Sequence, residues 1–286
     1  MVDGTESLLA QWQGHPDALI AIIALQVAYL LGVGPLRERY RLADRVDPRQ
    51  MLLFSTGVAV MLIAVASPLH TASEKYLFSA HMTQHVLLTL VAPPLLILGT
   101  PDWLVRPLIR PAWAYRLARV LVNPILAFTA FNLMFSLWHA PALYESAINV
   151  HAVHLVEHAL MIGTATMMWW PLVSRVPELP RMPYPAQMIY LFGMTIAQII
   201  VFGGLAFSAE PMYEFYENAP RIWNVTPLED QQIGAVIMKV GGGLLFLCLL
   251  IIAFYRWSQE DARQNPAPGT PVNGHDRRRA EPGRLR

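Results

Sequence analysis

Seven long apolar stretches are the feature that most constrains the fold of this chain. They lie at residues 17–34, 50–69, 77–98, 119–138, 150–172, 185–207 and 230–256. A helix needs roughly 20 mostly apolar residues to cross the hydrocarbon core of a bilayer. Only 14% of the residues are charged, whereas a soluble domain carries about a quarter. The sequence therefore predicts an all-α, polytopic membrane protein built as a bundle of seven transmembrane helices.

Basic residues are distributed unevenly between the two sides of the predicted spans. The loops after spans one, three and five, together with the segment after span seven, hold 18 of the 21 lysines and arginines. Cytoplasmic loops of membrane proteins collect Lys and Arg, so we expect the N-terminus outside and the C-terminus in the cytoplasm. Residues 257–286 are rich in Pro, Gly and Arg, which predicts a disordered cytoplasmic tail beside membrane lipid.

Histidines converge on the outer ends of three consecutive spans. His81 and His85 stand four residues apart where span three enters from outside, and His139 follows span four in the sequence WHAP. Span five begins NVHAVHLVEH, whose three histidines share one helical face. The residues predicted to reach one layer in the outer third of the bilayer are His81, His85, His139, His151, His154 and His158.

This histidine pattern has a structural and a functional interpretation. A single histidine in a span is usually a hydrogen-bonded contact between helices, and His139 could belong to a simple turn. Two stripes at one depth favour a metal or proton site, because ionisable groups inside spans are costly and mostly functional. The side chains that could complete such a site, or support its ligands, are Met82, Glu157, Met161, Asp230, Gln231 and Met238. Asp230 also follows a capping-box pattern, Thr226 to Glu229, that starts the last helix.

The donor types narrow the choice of metal. Imidazole binds copper, zinc, iron and nickel, and thioether sulfur favours Cu(I). Cys248 is the only cysteine in the sequence, which excludes an internal disulfide and a site built from several thiolates. Lys239 is a cation near the middle of span seven, and the sequence assigns no role to it.

Three stretches carry a resemblance to a known family: SPLHTASEKYLFSAHMTQHVLLTLVAPPLLILGTP, LWHAPALYESAINVHAVHLVEHALMIGTATMMWW and PRIWNVTPLEDQQIGAVIMK. Over roughly residues 50–256, the chain resembles the membrane-integral cytochrome c oxidase assembly factors of the CtaG type, which are bacterial seven-helix proteins. The resemblance implies assembly of a heme–copper oxidase in the bacterial inner (plasma) membrane, with copper supplied to the catalytic subunit from the outer face. The matching positions are His81, His85, His139, His151, His154, His158 and Asp230.

Three functions compete on these grounds. The first is a non-enzymatic assembly factor that binds copper through His and Met and delivers it to the oxidase, with loop 208–229 as a candidate docking segment on the outer face. The second is an intramembrane hydrolase, because zinc with three histidines, an acid and an open position can activate water. The third is a heme-binding protein or a proton pathway. No nucleic-acid partner is expected.

Overall fold

The computed structural model describes residue 12 and residues 14–265, and the regular structure of these residues is entirely helical. The helices are, in chain order, α1 Pro16–Leu31, α2 Arg37–Tyr40, α3 Pro48–Ala66, α4 Pro68–Lys75, α5 Phe78–Val86, α6 Ala92–Gly99, α7 Asp102–Val105, α8 Ala112–Leu121, α9 Pro124–Trp138, α10 Pro141–Asn149, α11 His151–Val173, α12 Tyr184–Ala197, α13 Ile199–Ala206, α14 Glu214–Asn218 and α15 Pro227–Gln264. Two π-helical turns, Gly32–Leu36 and Leu87–Val91, connect α1 to α2 and α5 to α6.

Several of these helices are suited to crossing a membrane. Within the described residues, five helical runs are long and apolar enough: Pro16–Tyr40, Pro48–Ala66, Phe78–Gly99, Tyr184–Ala206 and Pro227–Gln264. The pair α8 and α9, bent by 61°, is a sixth candidate. The 23 residues of α11 span roughly 34 Å, but polar side chains in its first half reduce its mean hydropathy. The chain is thus an all-helical, multi-pass membrane protein with five or six candidate spans, and the count of seven stays a prediction.

Prolines interrupt the predicted third span. Pro93 and Pro94 follow the π-helical turn Leu87–Val91. Proline lacks an amide donor, so carbonyls in the preceding turn need another partner. The indole of Trp169 on α11 donates a 2.9 Å hydrogen bond to the carbonyl of Thr89 in that turn. The irregular segment is therefore stabilised from a neighbouring helix.

The fourth predicted span differs from the sequence-based expectation. The sequence predicts one helix over 119–138, but the chain turns sharply at Asn123. The Asn123 side-chain oxygen accepts hydrogen bonds from the amides of Ile125 and Leu126, which satisfies donors that a helix start leaves free. Pro124 then occupies the first position of α9, where its fixed backbone angle is favourable. It starts a helix instead of bending one.

Lys239 has a partner inside the bundle. Its ammonium donates a 2.7 Å hydrogen bond to the carbonyl of Thr195, which belongs to the last turn of α12. That helix ends before Gln198, and the last carbonyls of a helix accept no hydrogen bond from an amide of the same helix. Lys239 therefore satisfies a carbonyl at the break between α12 and α13.

The last helix begins as predicted and ends later than predicted. The Thr226 hydroxyl accepts from the amide of Glu229, and the Glu229 carboxylate accepts from the amide of Thr226 at 2.9 Å, which completes the capping box. Residues 257–264, predicted to be disordered, are helical, because neither proline nor glycine interrupts this stretch. The predicted tail from residue 266 onward lies outside the described residues.

One end of the bundle, which we call the histidine end, is closed by short helices. It contains α4, α10 and α14, and the first turns of α5, α11 and α15. Within the predicted loop 208–229, Tyr213 and Tyr216 are buried. Their hydroxyls donate to the carbonyls of His139 and Ser73, at 2.9 and 2.7 Å. The tyrosines of this loop are therefore part of the core at the histidine end.

Gly234 allows α15 to approach α5 closely. A Cβ atom at this position would lie 2.5 Å from Cδ1 of Phe78 and 3.1 Å from Cγ of Met82. Both side chains are fully buried, so the ring has little room to move away. The glycine thus sets the spacing between α15 and the helix that carries His81 and His85.

We expect Gly234→Ala to lower the free energy of unfolding by about 1–3 kcal/mol, because it forces additional volume into a packed core. Gly241→Ala is the matched control, since a Cβ there meets nothing within 4 Å and alanine is the better helix former. Thermal unfolding in detergent measures both. Equal midpoints for the two variants would contradict the packing role of Gly234.

Candidate metal centre

Five imidazoles and one carboxylate converge at the histidine end and form what we call the core site. Its members are His81, His85, His139, His154, Glu157 and His158. The helix α5 supplies the first two, the C-terminal end of α9 supplies the third, and α11 supplies the remaining three. All except His158 are at most 5% exposed, so the site is largely closed to solvent.

The rings of the core site lie close together. Ring centroids are 4.3 Å apart for His81 and His85, 4.4 Å for His154 and His158, and 5.9 Å for His81 and His154. The candidate ligand atoms of His81, His154 and Glu157 all lie within 4.8 Å of one another. Nε2 of His85 is 3.7 Å from Oε1 of Glu157. Tetrahedral ligands at about 2.0 Å from an ion are about 3.3 Å apart, so small side-chain movements would close this set around one ion.

Many polar atoms of the core site are buried without a hydrogen-bond partner. They are Nδ1 and Nε2 of His81 and His85, Nε2 of His139, His154 and His158, and both carboxylate oxygens of Glu157. Buried polar groups are hydrogen-bonded in the great majority of cases, and an unpartnered one costs about 1–3 kcal/mol. This concentration in one cluster fits a site whose atoms bind an ion.

His139 is oriented toward the core site by the backbone. Its Nδ1–H donates a 2.6 Å hydrogen bond to the carbonyl of Phe135, one turn earlier in α9. This bond leaves the lone pair of the neutral imidazole on Nε2, which is buried without a partner. The ring of His139 lies 6.3 Å from that of His85. A backbone contact that fixes one ring nitrogen is the usual support of a metal-binding histidine.

Asp230 positions the helix that carries the first two histidines. Its buried carboxylate accepts a 2.6 Å hydrogen bond from the amide of Phe78, and bonds of 3.2 and 2.5 Å from the amide and hydroxyl of Ser79. The residue before α5 is Leu77, which has no side-chain acceptor for these amides. A carboxylate at a helix start also stabilises the helix dipole. Asp230 therefore caps α5 from α15, and its contacts are with the backbone of that helix.

A second polar group, which we call the rim site, adjoins the core site. It consists of His15, Glu74 and His154, with Oε1 of Glu74 lying 2.8 Å from Nε2 of His15 and 3.3 Å from Nδ1 of His154. Burial would raise the pKa of Glu74, but the hydrogen bond from His154, the nearby His70 and the hydrogen bond from His15 lower it to about 2. Glu74 is therefore a carboxylate at neutral pH.

Comparison with known proteins assigns the chain to a family. A sequence model described as cytochrome c oxidase caa3 assembly factor (Caa3_CtaG) matches residues 27–260. The chain belongs to this family. The match includes the helices that supply the histidines, α5, α9 and α11, and Asp230. The resemblance predicted from the sequence is thereby confirmed.

Three curated relatives of this chain come from mycobacteria. The chain is 25% identical over 269 residues to the uncharacterized proteins Mb0105 of Mycobacterium bovis and MT0111 of Mycobacterium tuberculosis. It is 24% identical over 271 residues to the uncharacterized protein ML1998 of Mycobacterium leprae. Each comparison covers 86% of this chain and 40% of the relative, so the chain spans about two fifths of the length of these relatives. No solved structure matches the chain at a significant level.

The structure brings five of the six predicted histidines together in the core site, and separates the sixth. His151 is exposed, and its Nε2 lies 2.8 Å from Oδ2 of Asp17. Conversely, sequence reasoning missed Glu74 and His15, which lie at the rim. One feature of the sequence could have indicated Glu74: His70 and Glu74 are four residues apart and therefore lie on one face of α4.

The predicted accessory residues other than Glu157 and Asp230 pack in the interior. Met82, Met161 and Met238 belong to one hydrophobic cluster. The Gln231 side chain accepts from the amide of Met212 at 2.7 Å and donates to the carbonyl of Leu205 at 3.0 Å. Gln231 therefore connects α15 to the last turn of α13 and to the segment that follows it.

Proposed function

We propose that this assembly factor binds one copper ion at the core site and helps to deliver it to the catalytic subunit of a heme–copper oxidase. The cluster of buried, unpartnered nitrogen and oxygen atoms supplied by three helices is the observation that carries this proposal. Copper is cargo, so the site has to release the ion as well as bind it. Cys248 is exposed on α15 and does not belong to the core site, so the site contains no thiolate. Imidazole and carboxylate donors without a thiolate suit the release of the ion.

Copper fits these donors better than the alternatives. The affinity of a nitrogen and oxygen site for divalent first-row ions is highest for copper. Zinc accepts the same donors, so the hydrolase hypothesis predicts zinc and lipid turnover in the purified protein. A heme with two axial histidines would need imidazoles on opposite faces of a macrocycle, whereas the core-site rings contact one another. The geometry therefore favours a small ion, and we propose a non-enzymatic role.

The proposed orientation follows from the basic residues. We propose that the chain crosses the bacterial plasma membrane seven times, with α9 and α11 as the fourth and fifth spans and the histidine end outside. The opposite end contains Arg37, Arg106 and Arg175, and cytoplasmic surfaces are enriched in such residues. In this orientation the core site opens toward the compartment outside the cytoplasm. We further propose that the oxidase docks at the histidine end on segment 208–229, where Trp223 is exposed.

Thiol labelling tests this orientation. In a Cys248→Ser background the chain has no other cysteine, so a single new thiol reports its own location. We expect Asn218→Cys to react with a membrane-impermeant maleimide in intact spheroplasts, and Arg110→Cys to react only after lysis. Both positions are exposed. The opposite labelling pattern would contradict the proposed orientation.

Complementation tests the proposed function. A strain that lacks the gene is supplied with the wild-type protein, the double variant His81→Ala/His85→Ala, or His151→Ala. We expect the double variant to yield oxidase with at least about tenfold less copper and activity. Mutating a residue that only supports a metal ligand already lowers metal affinity about 10–100-fold, and loss of the ligands themselves should cost at least as much. His151→Ala, outside the core site, should restore both. Full oxidase copper with the double variant would refute copper delivery through this site.

A further inference from the structure

The rim site adjoins the core site and has one residue in common with it. The candidate ligand atoms of His15, Glu74 and His154 all lie within 4.8 Å of one another. The exposed fraction of these side chains falls from 37% at His15 to 23% at Glu74 and 7% at His154. The three donors thus form a continuous path from solvent to the buried histidines.

We infer that the rim site is an entry site, which takes up copper from solution and passes it to the core site through His154. This inference rests on the proposed function, because it describes how the core site is filled. An imidazole and carboxylate set suits Cu²⁺, the divalent ion that nitrogen and oxygen donors bind most strongly.

The two ring nitrogens of His154 face different sites. Nδ1 lies 3.3 Å from Oε1 of Glu74 at the rim, whereas Nε2 is buried without a partner. The same residue also belongs to the ligand group with His81 and Glu157, and we assign Nε2 to that group. A neutral imidazole has one lone pair, on one nitrogen at a time. His154 therefore holds an ion on one side or on the other, and the two sites compete for it.

Transfer of the ion is a ligand exchange at His154. An ion held at the rim is bound by Nδ1, and the ring proton is on Nε2. In the core site Nε2 supplies the lone pair after its proton is released to water, and Nδ1, freed of the ion, takes up one proton from water at the rim, so that Nδ1–H donates to the carboxylate of Glu74. The charge of the ion and the number of protons on the ring are unchanged, so the step needs no oxidant or reductant. Occupation of the core site removes His154 from the rim site, so the two sites do not hold the shared ligand at the same time.

A further histidine, outside the rim site, contacts the carboxylate of Glu74. Its second oxygen, Oε2, lies 3.4 Å from Nε2 of His70, which is buried. The Gln84 side chain contacts Nδ1 of the same ring at 3.3 Å. This support fixes the carboxylate at the rim while its other oxygen faces His15 and His154. In metal sites the ligands are typically oriented by hydrogen bonds from residues that do not themselves bind the ion.

Loading kinetics test the entry site. The full-length protein in detergent is mixed with Cu²⁺, and filling of the core site is followed by rapid-freeze electron paramagnetic resonance, with equilibrium copper measured separately. We expect His15→Ala to slow loading at least about tenfold and to leave the equilibrium copper content at about one ion per chain. His151→Ala is the matched control, because it removes an exposed imidazole that is not part of the rim site, although its ring centroid lies 4.2 Å from that of His15, and it should load as wild type.

A second variant separates metal entry from a structural contact. His15 also joins α1 to α4, whereas Glu74→Gln keeps a hydrogen-bond acceptor of the same shape and removes the charge that attracts the ion. Slow loading in both variants supports the entry site. Wild-type rates in either folded variant, or equal slowing by His151→Ala, would overturn it and leave the core site standing. Absence of copper from the wild-type protein would overturn both proposals.

Discussion

Alanine at both His81 and His85 is expected to remove the bound copper almost completely. The purified wild-type protein should contain about one copper per chain, and loss of two of its imidazoles should lower the affinity at least about 100-fold. Metal analysis after dialysis against a weak chelator measures this loss. His151→Ala is the control and should retain the copper, because the His151 ring is exposed and pairs with Asp17 outside both the core site and the rim site.

The variant His81→Ala/His85→Ala also has an expected effect on the unfolding midpoint. In the wild-type chain the four ring nitrogens of His81 and His85 have no hydrogen-bond partner within the protein, so removing these rings relieves a desolvation cost that offsets the loss of packing. The metal-free variant should therefore unfold near the wild-type midpoint, whereas added copper should raise only the wild-type midpoint. A large loss of stability without copper would indicate that these histidines serve the fold and not an ion.

Asp230→Ala is expected to have the largest effect among residues outside the core site. It leaves the amides of Phe78 and Ser79 without their acceptor at a buried helix start. Loss of a charged hydrogen-bond partner of buried donors costs about 2–3 kcal/mol, and loss of a helix cap about 1 kcal/mol. His81 lies in the first turn of α5, so fraying of that turn should also weaken copper binding.

Glu229→Ala is the matched control for Asp230→Ala. Glu229 is the neighbouring carboxylate and caps only its own helix, through Thr226. Its removal should lower the unfolding midpoint slightly and leave copper content unchanged. Asp230→Asn, which keeps one acceptor oxygen, should fall between the two. If Asp230→Ala binds copper as tightly as wild type, the cap does not position the histidine helix.

Much of the core site could be predicted because a membrane span converts sequence position into depth. Once α5, α9 and α11 are oriented, the histidines near their ends have to share a layer, and five of them do. His151 is the exception. It is the first residue of α11, about one turn before His154, whose ring faces that of His81, and Asp17 of α1 lies close enough to pair with it.

Contacts between distant segments could not be predicted in the same way. Asp230 lies 152 residues from the amide of Phe78 that it caps, and its position in the first turn of α15 already explained an acidic residue there. His15 and Glu74 are 59 residues apart and meet because α1 packs against α3, the helix that precedes α4. Helical periodicity describes one helix at a time, so it contains no signal for such pairs.

X-ray absorption spectroscopy of the copper-loaded protein tests the core site most directly. The spectrum should show nitrogen and oxygen scatterers with the multiple-scattering pattern of several imidazoles and no sulfur, and this pattern should be absent from His81→Ala/His85→Ala. Sulfur scattering from methionine or cysteine, or an identical spectrum in the double variant, would contradict a copper site built from these histidines.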